Sequence, residues 1–186
     1  MKIAFFSTHE FEKPFLVAAN EHYGHDLHFF ESRLMPATVE LAKSFEAISC
    51  FVTDELNEVV IAKLAQQGVK LITLRSAGFN HVDLNAAKEN NICVLRVPAY
   101  SPYAVAEFAV GMILILNRKI HRAYYRVREN NFSLEGLMGF DLYGKTVGII
   151  GTGKIGSIFA QIMYGFGCKL LAHDPVHNPA CEKLGL

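Results

Sequence analysis

The chain has 186 residues, 51% of them hydrophobic and 19% charged, with 18 basic and 18 acidic side chains and a formal net charge of zero. At roughly 100–200 residues per domain this allows one domain, or one and part of a second, and the apolar content excludes intrinsic disorder. The neutral balance argues against a nucleic-acid binder that works through a basic field. No run reaches the ~18–20 apolar residues of a membrane helix.

The N-terminal apolar stretch ends at Ser7, too early for a signal peptide, and Lys2–Ser7 reads as a first strand. Further strands are expected over Leu27–Phe30, Ala47–Thr53, Leu71–Leu74 and Ile92–Arg96. Helices are expected near Lys13–Glu21, Asn57–Gln67 and Asp83–Glu89, the last two stopped by Gly68 and Asn90-Asn91. A strand apolar on both faces, such as Leu71-Ile72-Thr73-Leu74, suits a parallel sheet covered by helices. Residues 1–98 therefore read as a doubly wound α/β unit. Val97-Pro98-Ala99-Tyr100-Ser101-Pro102 then forces an extended crossover, because two prolines in five residues oppose a helix. One long helix is expected from Tyr103 to Glu129, with an apolar and buried first half. After a loop bearing Gly136, Gly139 and Gly144 come a strand Thr146–Ile150, a helix Lys154–Tyr164 and a strand Lys169–His173. The four cysteines, Cys50, Cys93, Cys168 and Cys181, form no Cys-x-x-Cys pair and read as free thiols of a reducing cytosol.

The most informative stretch is Thr146-Val147-Gly148-Ile149-Ile150-Gly151-Thr152-Gly153-Lys154-Ile155-Gly156. It matches G-x-G-x-x-G between an apolar strand and a helix, the setting in which that motif binds a dinucleotide. Gly151 permits the tight turn, Gly153 lets backbone approach a pyrophosphate, and Gly156 lets helix pack on strand. Asp174 ends the second strand and can hold a ribose diol while repelling a 2′-phosphate, which favours NAD over NADP. Gly139 to Thr146 also matches the G-x-x-x-x-G-K-[ST] phosphate loop. That loop needs a strand before it and a helix after it, and here a strand follows.

Arg75-Ser76-Ala77-Gly78-Phe79-Asn80-His81-Val82-Asp83 follows a buried strand and precedes a helix. Its small residues leave N–H groups open to an anion, although spacing alone also fits an ordinary strand-to-helix turn. The basic cluster Arg118, Lys119, His121, Arg122, Arg126 and Arg128 reads as a solvated helix face or subunit contact rather than a nucleic-acid surface. His9-Glu10 lacks the second histidine of a zinc-protease helix, and no metal site is expected.

With these motifs in place, the chain resembles the NAD-dependent D-isomer-specific 2-hydroxyacid dehydrogenases, nearest their D-lactate dehydrogenase branch. The resemblance runs from Met1 to Leu186 and rests on the Arg75–Asp83 and Val97–Pro102 segments, Ala104-Val105-Ala106-Glu107, Asn117–Tyr124 and the Val147–Gly156 turn. The lactate branch leans on the tract from Arg118 to Lys145. Phe108 departs from close relatives, which often carry His there. The resemblance implies a flavodoxin-like doubly wound parallel sheet as substrate domain over residues 1–98. Over 99–186 it implies the first part of a Rossmann dinucleotide-binding domain, with a dimerisation helix over 103–129 and a first β-α-β unit over 146–174.

The resemblance implies that Ser76, Ala77, Gly78 and Phe79 hold the carboxylate of a small 2-keto or 2-hydroxy acid, with Tyr100 beside it. It assigns Gly151, Thr152, Gly153, Lys154, Ile155, Gly156 and Asp174 to NAD. The implied protein is a cytoplasmic homo-oligomer that reduces pyruvate, without nucleic-acid or membrane partners. The family's catalytic Arg, His and acid fall beyond Leu186, so no residue here is carried over as catalytic. The chain reads as an N-terminal fragment, inactive alone, with 1–98 compact and 141–186 poorly held. Two other readings stand beside this one: a sibling enzyme acting on another 2-keto acid, and a truncated non-catalytic assembly module.

Overall fold

A computed structural model describes residues 1–184; Gly185 and Leu186, the end of the second expected segment, lie outside the described residues. The chain divides into two compact units, Met1–Tyr100 and Ser101–Leu186. The first runs β1 (Lys2–Phe5), α1 (Lys13–Asn20), β2 (Asp26–Phe29), a 3-10 turn (Val39–Ala42), β3 (Ala47–Cys50), α2 (Glu58–Gln66), β4 (Leu71–Leu74), α3 (Leu84–Glu89) and β5 (Cys93–Arg96). All strand pairs are parallel, in the order β2-β1-β3-β4-β5. This is the flavodoxin-like doubly wound order, whose topological switch lies between β1 and β3.

Local chemistry sets the element ends. The Asn57 side chain accepts from Val60 N–H to start α2, and Asp83 accepts from Ala86 N–H to start α3. α2 then places Val60, Ile61 and Leu64 wholly inside, against Ile48 and Ile72 of the central strands and Phe6 and Leu34 nearby. Each such side chain contributes about 1.5–3 kcal/mol as an upper bound. α1 buries no residue; Phe15 and Val17 on it are exposed. β1 and β3 stop at Phe5 and Cys50, short of the apolar runs Lys2–Ser7 and Ala47–Thr53. There, side chains take over the backbone: Phe51 N–H donates to Asp54 Oδ2 at 2.6 Å, and Ser7 turns into the left-handed region at φ 48°.

The second unit runs α4 (Pro102–Arg118), α5 (Ile120–Arg128), β6 (Thr146–Ile150), α6 (Lys154–Gly165), β7 (Lys169–His173) and α7 (Pro179–Glu182), with β6 and β7 parallel. α4 packs on α6 around Val110, Met163 and Cys168, joined by Leu114, Leu142 and Ile162. The single helix expected from Tyr103 to Glu129 is two helices. Lys119 adopts a left-handed φ of 52° between them, its N–H bonded to the Ile115 carbonyl. The break follows from a tertiary contact. Asn117 Nδ2 donates to the Phe140 carbonyl at 2.6 Å and its Oδ1 accepts from Phe140 N–H at 3.0 Å. The loop segment at Phe140 thus pairs its backbone with the Asn117 side chain in the last turn of α4.

The apolar first half of this helix is also less buried than expected. Only Ala106 and Val110 of α4 are buried, while Val105, Phe108, Met112, Ile115 and Leu116 are exposed. Apolar content recorded a covered face, but the side that α6 covers is only one stripe of it. Among the described residues no helix is long and apolar enough to cross a membrane.

Candidate functional site

The segment after β4 forms an open cup of amides. Three successive carbonyls are held from behind: Ser76 O by Val97 N–H at 3.2 Å, Ala77 O by Arg96 Nη1 at 3.0 Å, and Gly78 O by the Ser76 hydroxyl at 2.7 Å. In a trans peptide the C=O and the following N–H point in opposite directions. Fixing these carbonyls therefore turns the N–H groups of Ala77, Gly78 and Phe79 the other way. Among the described residues those three N–H groups meet no acceptor. A Cβ added at Gly78 would meet nothing within 4 Å, so the glycine answers no demand of the protein's own packing. Three successive N–H groups without acceptors, beside open space, suit an anion.

Arg75, just before the cup in sequence, and Asp54 anchor a polar frame. The Arg75 guanidinium uses all five of its donors: Nε on Glu12 Oε1 at 3.0 Å, Nη1 on Ser49 O and Oγ at 2.9 and 3.3 Å, and Nη2 on the Phe6 and Ser7 carbonyls at 2.8 and 3.1 Å. It ties the ends of β1 and β3 to the start of α1. Asp54, 2% exposed, accepts from the Ser7 hydroxyl at 2.6 Å, Leu34 N–H at 2.8 Å and Phe51 N–H at 2.6 Å. Burial pushes the neighbouring Cys50 thiol well above its ordinary value, with Asp54 adding to the effect and Arg75 opposing it. A cavity of about 410 Å³, lined by Ser7, Thr8, His9, Arg33 and Phe51 among others, opens at the ends of β1 and β3.

In the second unit the glycine turn links β6 to α6. Gly151 sits at φ +95°. A Cβ on Gly156 would lie 1.9 Å from the Gly151 carbonyl oxygen, so helix and turn meet backbone to backbone there. Thr152 is held on both sides of its backbone: its N–H donates to Asp174 Oδ2 at 2.6 Å, and its carbonyl accepts from Asn178 Nδ2. α6 opens at Gly153 without a side-chain cap, leaving the first-turn N–H groups of Lys154, Ile155 and Gly156 without intrahelical acceptors. A Cβ on Gly153 would meet nothing within 4 Å. An uncapped helix start beside open space at a glycine fits a pyrophosphate.

Asp174 Oδ1 also accepts from Val176 N–H at 2.9 Å. The Val176 and Thr152 amides hold its carboxyl below the ordinary 3.8. Each oxygen keeps a lone pair for a further donor, so a ribose diol remains compatible with this arrangement. The Gly139–Thr146 segment does not make a phosphate loop. Thr146 opens β6 instead of a helix, and Lys145 Nζ lies 5.7 Å from the centre of the Phe140 ring.

The structure thus gathers Ser76, Ala77, Gly78 and Phe79 into one loop, and Gly151 to Gly156 with Asp174 into another. Tyr100 is 65% exposed, three residues beyond the Val97–Ser76 hydrogen bond. Sequence reasoning missed Arg96, Asn178, Asp54 and the role of Arg75. Asn178 left a signal, an N-cap followed by proline at the first helical position. The partners of Arg75, Asp54 and Arg96 are distant in sequence and left none.

The family model for "D-isomer specific 2-hydroxyacid dehydrogenase, catalytic domain" matches residues 3–173. A "2-hydroxyacid dehydrogenase homolog" of Haemophilus influenzae is 54% identical over 185 residues, covering 100% of this chain and 56% of that protein. The D-lactate dehydrogenase of Escherichia coli is 52% identical, again over 100% of this chain and 56% of the relative. Its apo-structure superposes with a TM-score of 0.93, covering 100% of this chain and 58% of the other. The Aquifex aeolicus D-lactate dehydrogenase complexed with NAD and lactic acid is 35% identical with a TM-score of 0.81, covering 98% and 54% of the two chains. The chain spans a little over half the length of the relatives it matches. With the motifs, the sheet order and these similarities in agreement, the chain belongs to the D-isomer specific 2-hydroxyacid dehydrogenase family.

Proposed function

We propose that this chain supplies the substrate-carboxylate element and the first dinucleotide-binding element of an NAD-dependent D-lactate dehydrogenase. Residues 1–98 act as the substrate domain and 99–186 as the opening of the NAD domain. The observation that carries the reading is the cup of three free amides at Ala77, Gly78 and Phe79, each turned outward by a held carbonyl. The carboxylate of a 2-oxo acid accepts from these N–H groups, at about 1.5–3 kcal/mol for each hydrogen bond to a charged group. Tyr100 lies beside the bound acid.

In the second unit, the N–H groups at the start of α6 receive the pyrophosphate, and Asp174 accepts from the ribose hydroxyls. Its charge rejects a 2′-phosphate, so NAD is the cofactor rather than NADP. When bound, NADH supplies the hydride that reduces C2 of pyruvate. No residue of this chain is assigned to proton transfer. The exposed α4 residues Phe108, Met112 and Leu116 give a second copy an apolar surface to cover, which makes the protein a homo-oligomer. Its free thiols suit the cytoplasm.

The test is NADH oxidation with pyruvate, on the 186-residue chain and on a version extended to its relatives' length. Activity in the extended form alone supports the reading. Activity in the short chain would mean that it carries its own proton donor. Silence with pyruvate but turnover of another 2-oxo acid would move the substrate assignment, and silence with all of them would favour an assembly role.

A further inference from the structure

The amide cup is completed by a residue that lies outside the segment assigned to the substrate. Arg96, the last residue of β5, donates from Nη1 to the Ala77 carbonyl at 3.0 Å, and its guanidinium lies 5.2 Å from the centre of the Phe79 ring. One planar side chain thus grips the loop twice, at the carbonyl of its second residue and at the ring of its fourth. Of the three held carbonyls, Ser76 O is fixed by backbone and Gly78 O by the loop's own hydroxyl. Ala77 O alone depends on a long side chain. The Ala77–Gly78 peptide carries the central N–H of the three, and no Cβ at position 78 restricts its rotation. Without Arg96 this peptide can flip, replacing a donor with a carbonyl oxygen that repels an incoming carboxylate.

We propose that Arg96 is a positioning residue for the anion cup: it holds the Ala77–Gly78 peptide with the Gly78 N–H turned outward, and so sets the affinity for the carboxylate end of the substrate. This rests on the substrate reading above, and it extends that reading to a residue that touches the loop rather than the acid. The guanidinium also places a positive charge beside the cup, where it adds long-range attraction for anions.

The test uses the enzyme at its relatives' length, labelled with ¹⁵N-glycine, as the Arg96→Met and Arg96→Gln variants. Arg96 is exposed, so both variants are expected to fold. In the ligand-free protein, Arg96→Met is expected to move the Gly78 amide resonance, while Arg96→Gln, which keeps a donor, moves it less. With pyruvate, Arg96→Met is expected to raise KM on the order of tenfold, the loss of about one charge-assisted hydrogen bond. The KM for NADH should stay unchanged and kcat within about threefold of wild type. A Gly78 amide that does not move, or a pyruvate KM that stays within twofold of wild type in an active enzyme, overturns the proposal. If the amide moves but the wild-type enzyme reduces no 2-oxo acid, the positioning role stands and the substrate reading falls.

Discussion

The two glycines at the start of α6 make opposite demands, and substituting each by alanine separates folding from cofactor binding. At Gly156 an added Cβ lies 1.9 Å from the Gly151 carbonyl oxygen and 3.0 Å from its carbon. Both are backbone atoms of a turn already at φ +95°, so relief requires the helix or the turn to shift by about 1 Å. Overpacking of this kind costs about 1–3 kcal/mol, against a gain of up to about 1 kcal/mol for replacing glycine inside a helix. Gly156→Ala should therefore lower stability by about 1–2 kcal/mol and weaken NADH binding, because the turn and the free N–H groups move together. At Gly153 nothing lies within 4 Å of the added Cβ, and the backbone is in an ordinary extended conformation. The poorer helix cap costs about 0.5–1 kcal/mol and the stiffer unfolded chain returns a similar amount, so Gly153→Ala should fold as well as wild type. Its methyl group occupies the space assigned to the pyrophosphate, and NADH affinity should fall at least about tenfold. Urea unfolding and NADH fluorescence titration of the two variants, in the enzyme at its relatives' length, read both quantities. A Gly153→Ala variant that binds NADH like wild type, or a Gly156→Ala variant that loses no stability, would refute the reasoning.

Asp54→Ala removes the acceptor of the Ser7 hydroxyl and of the Leu34 and Phe51 amides, leaving buried donors unpaired. A stability loss of about 2–4 kcal/mol is expected from urea unfolding, and a change below about 1 kcal/mol would show that water replaces the carboxylate. Asp174 is held below its ordinary 3.8 by the Val176 and Thr152 amides, so its folded form favours the charged state. A depressed carboxylate stabilises above the unfolded pKa and loses that contribution as pH falls through the folded value. The stability gap between wild type and Asp174→Asn should hold steady above about pH 5 and close on acidification below 3.8; a gap that widens in acid contradicts this sign. In the 186-residue chain, β3 is paired on both sides and wholly buried, whereas Ile150 of β6 is 92% exposed and β6 pairs only with β7 among the described residues. Hydrogen exchange should find β3 the slowest and β6 faster. A β6 as protected as β3 would show that the second unit is firmly held on its own.

The sequence by itself determined the alternation of strands and helices in the first unit and the strand-turn-helix-strand of the second. Those signals are local: apolar runs of strand length, Asn57 and Asp83 as helix caps, Gly68 and Asn91 as stops, and three glycines at fixed spacing after β6. The glycine spacing after β6 also marked that turn as a candidate site, whereas the small residues after β4 fit an ordinary strand-to-helix turn equally well and only the family resemblance singled them out. Tertiary structure alone decided the rest. The helix break at Lys119 depends on Asn117 meeting Phe140 across a loop; Gly139 marks the far side of that contact, where a Cβ would lie 2.5 Å from the Asn117 carbonyl oxygen, but no proline or glycine stands at the break itself. The polar frame beside β1 and β3 depends on Arg75 reaching Phe6, Ser7 and Glu12, and on Asp54 gathering the Ser7 hydroxyl and the Leu34 and Phe51 amides. The outward turn of the Gly78 amide depends on Arg96, which only the pairing of β5 with β4 brings beside Ala77. Hydrogen bonds between residues far apart in sequence leave no periodicity, so they appear only once the sheet has set its order and register.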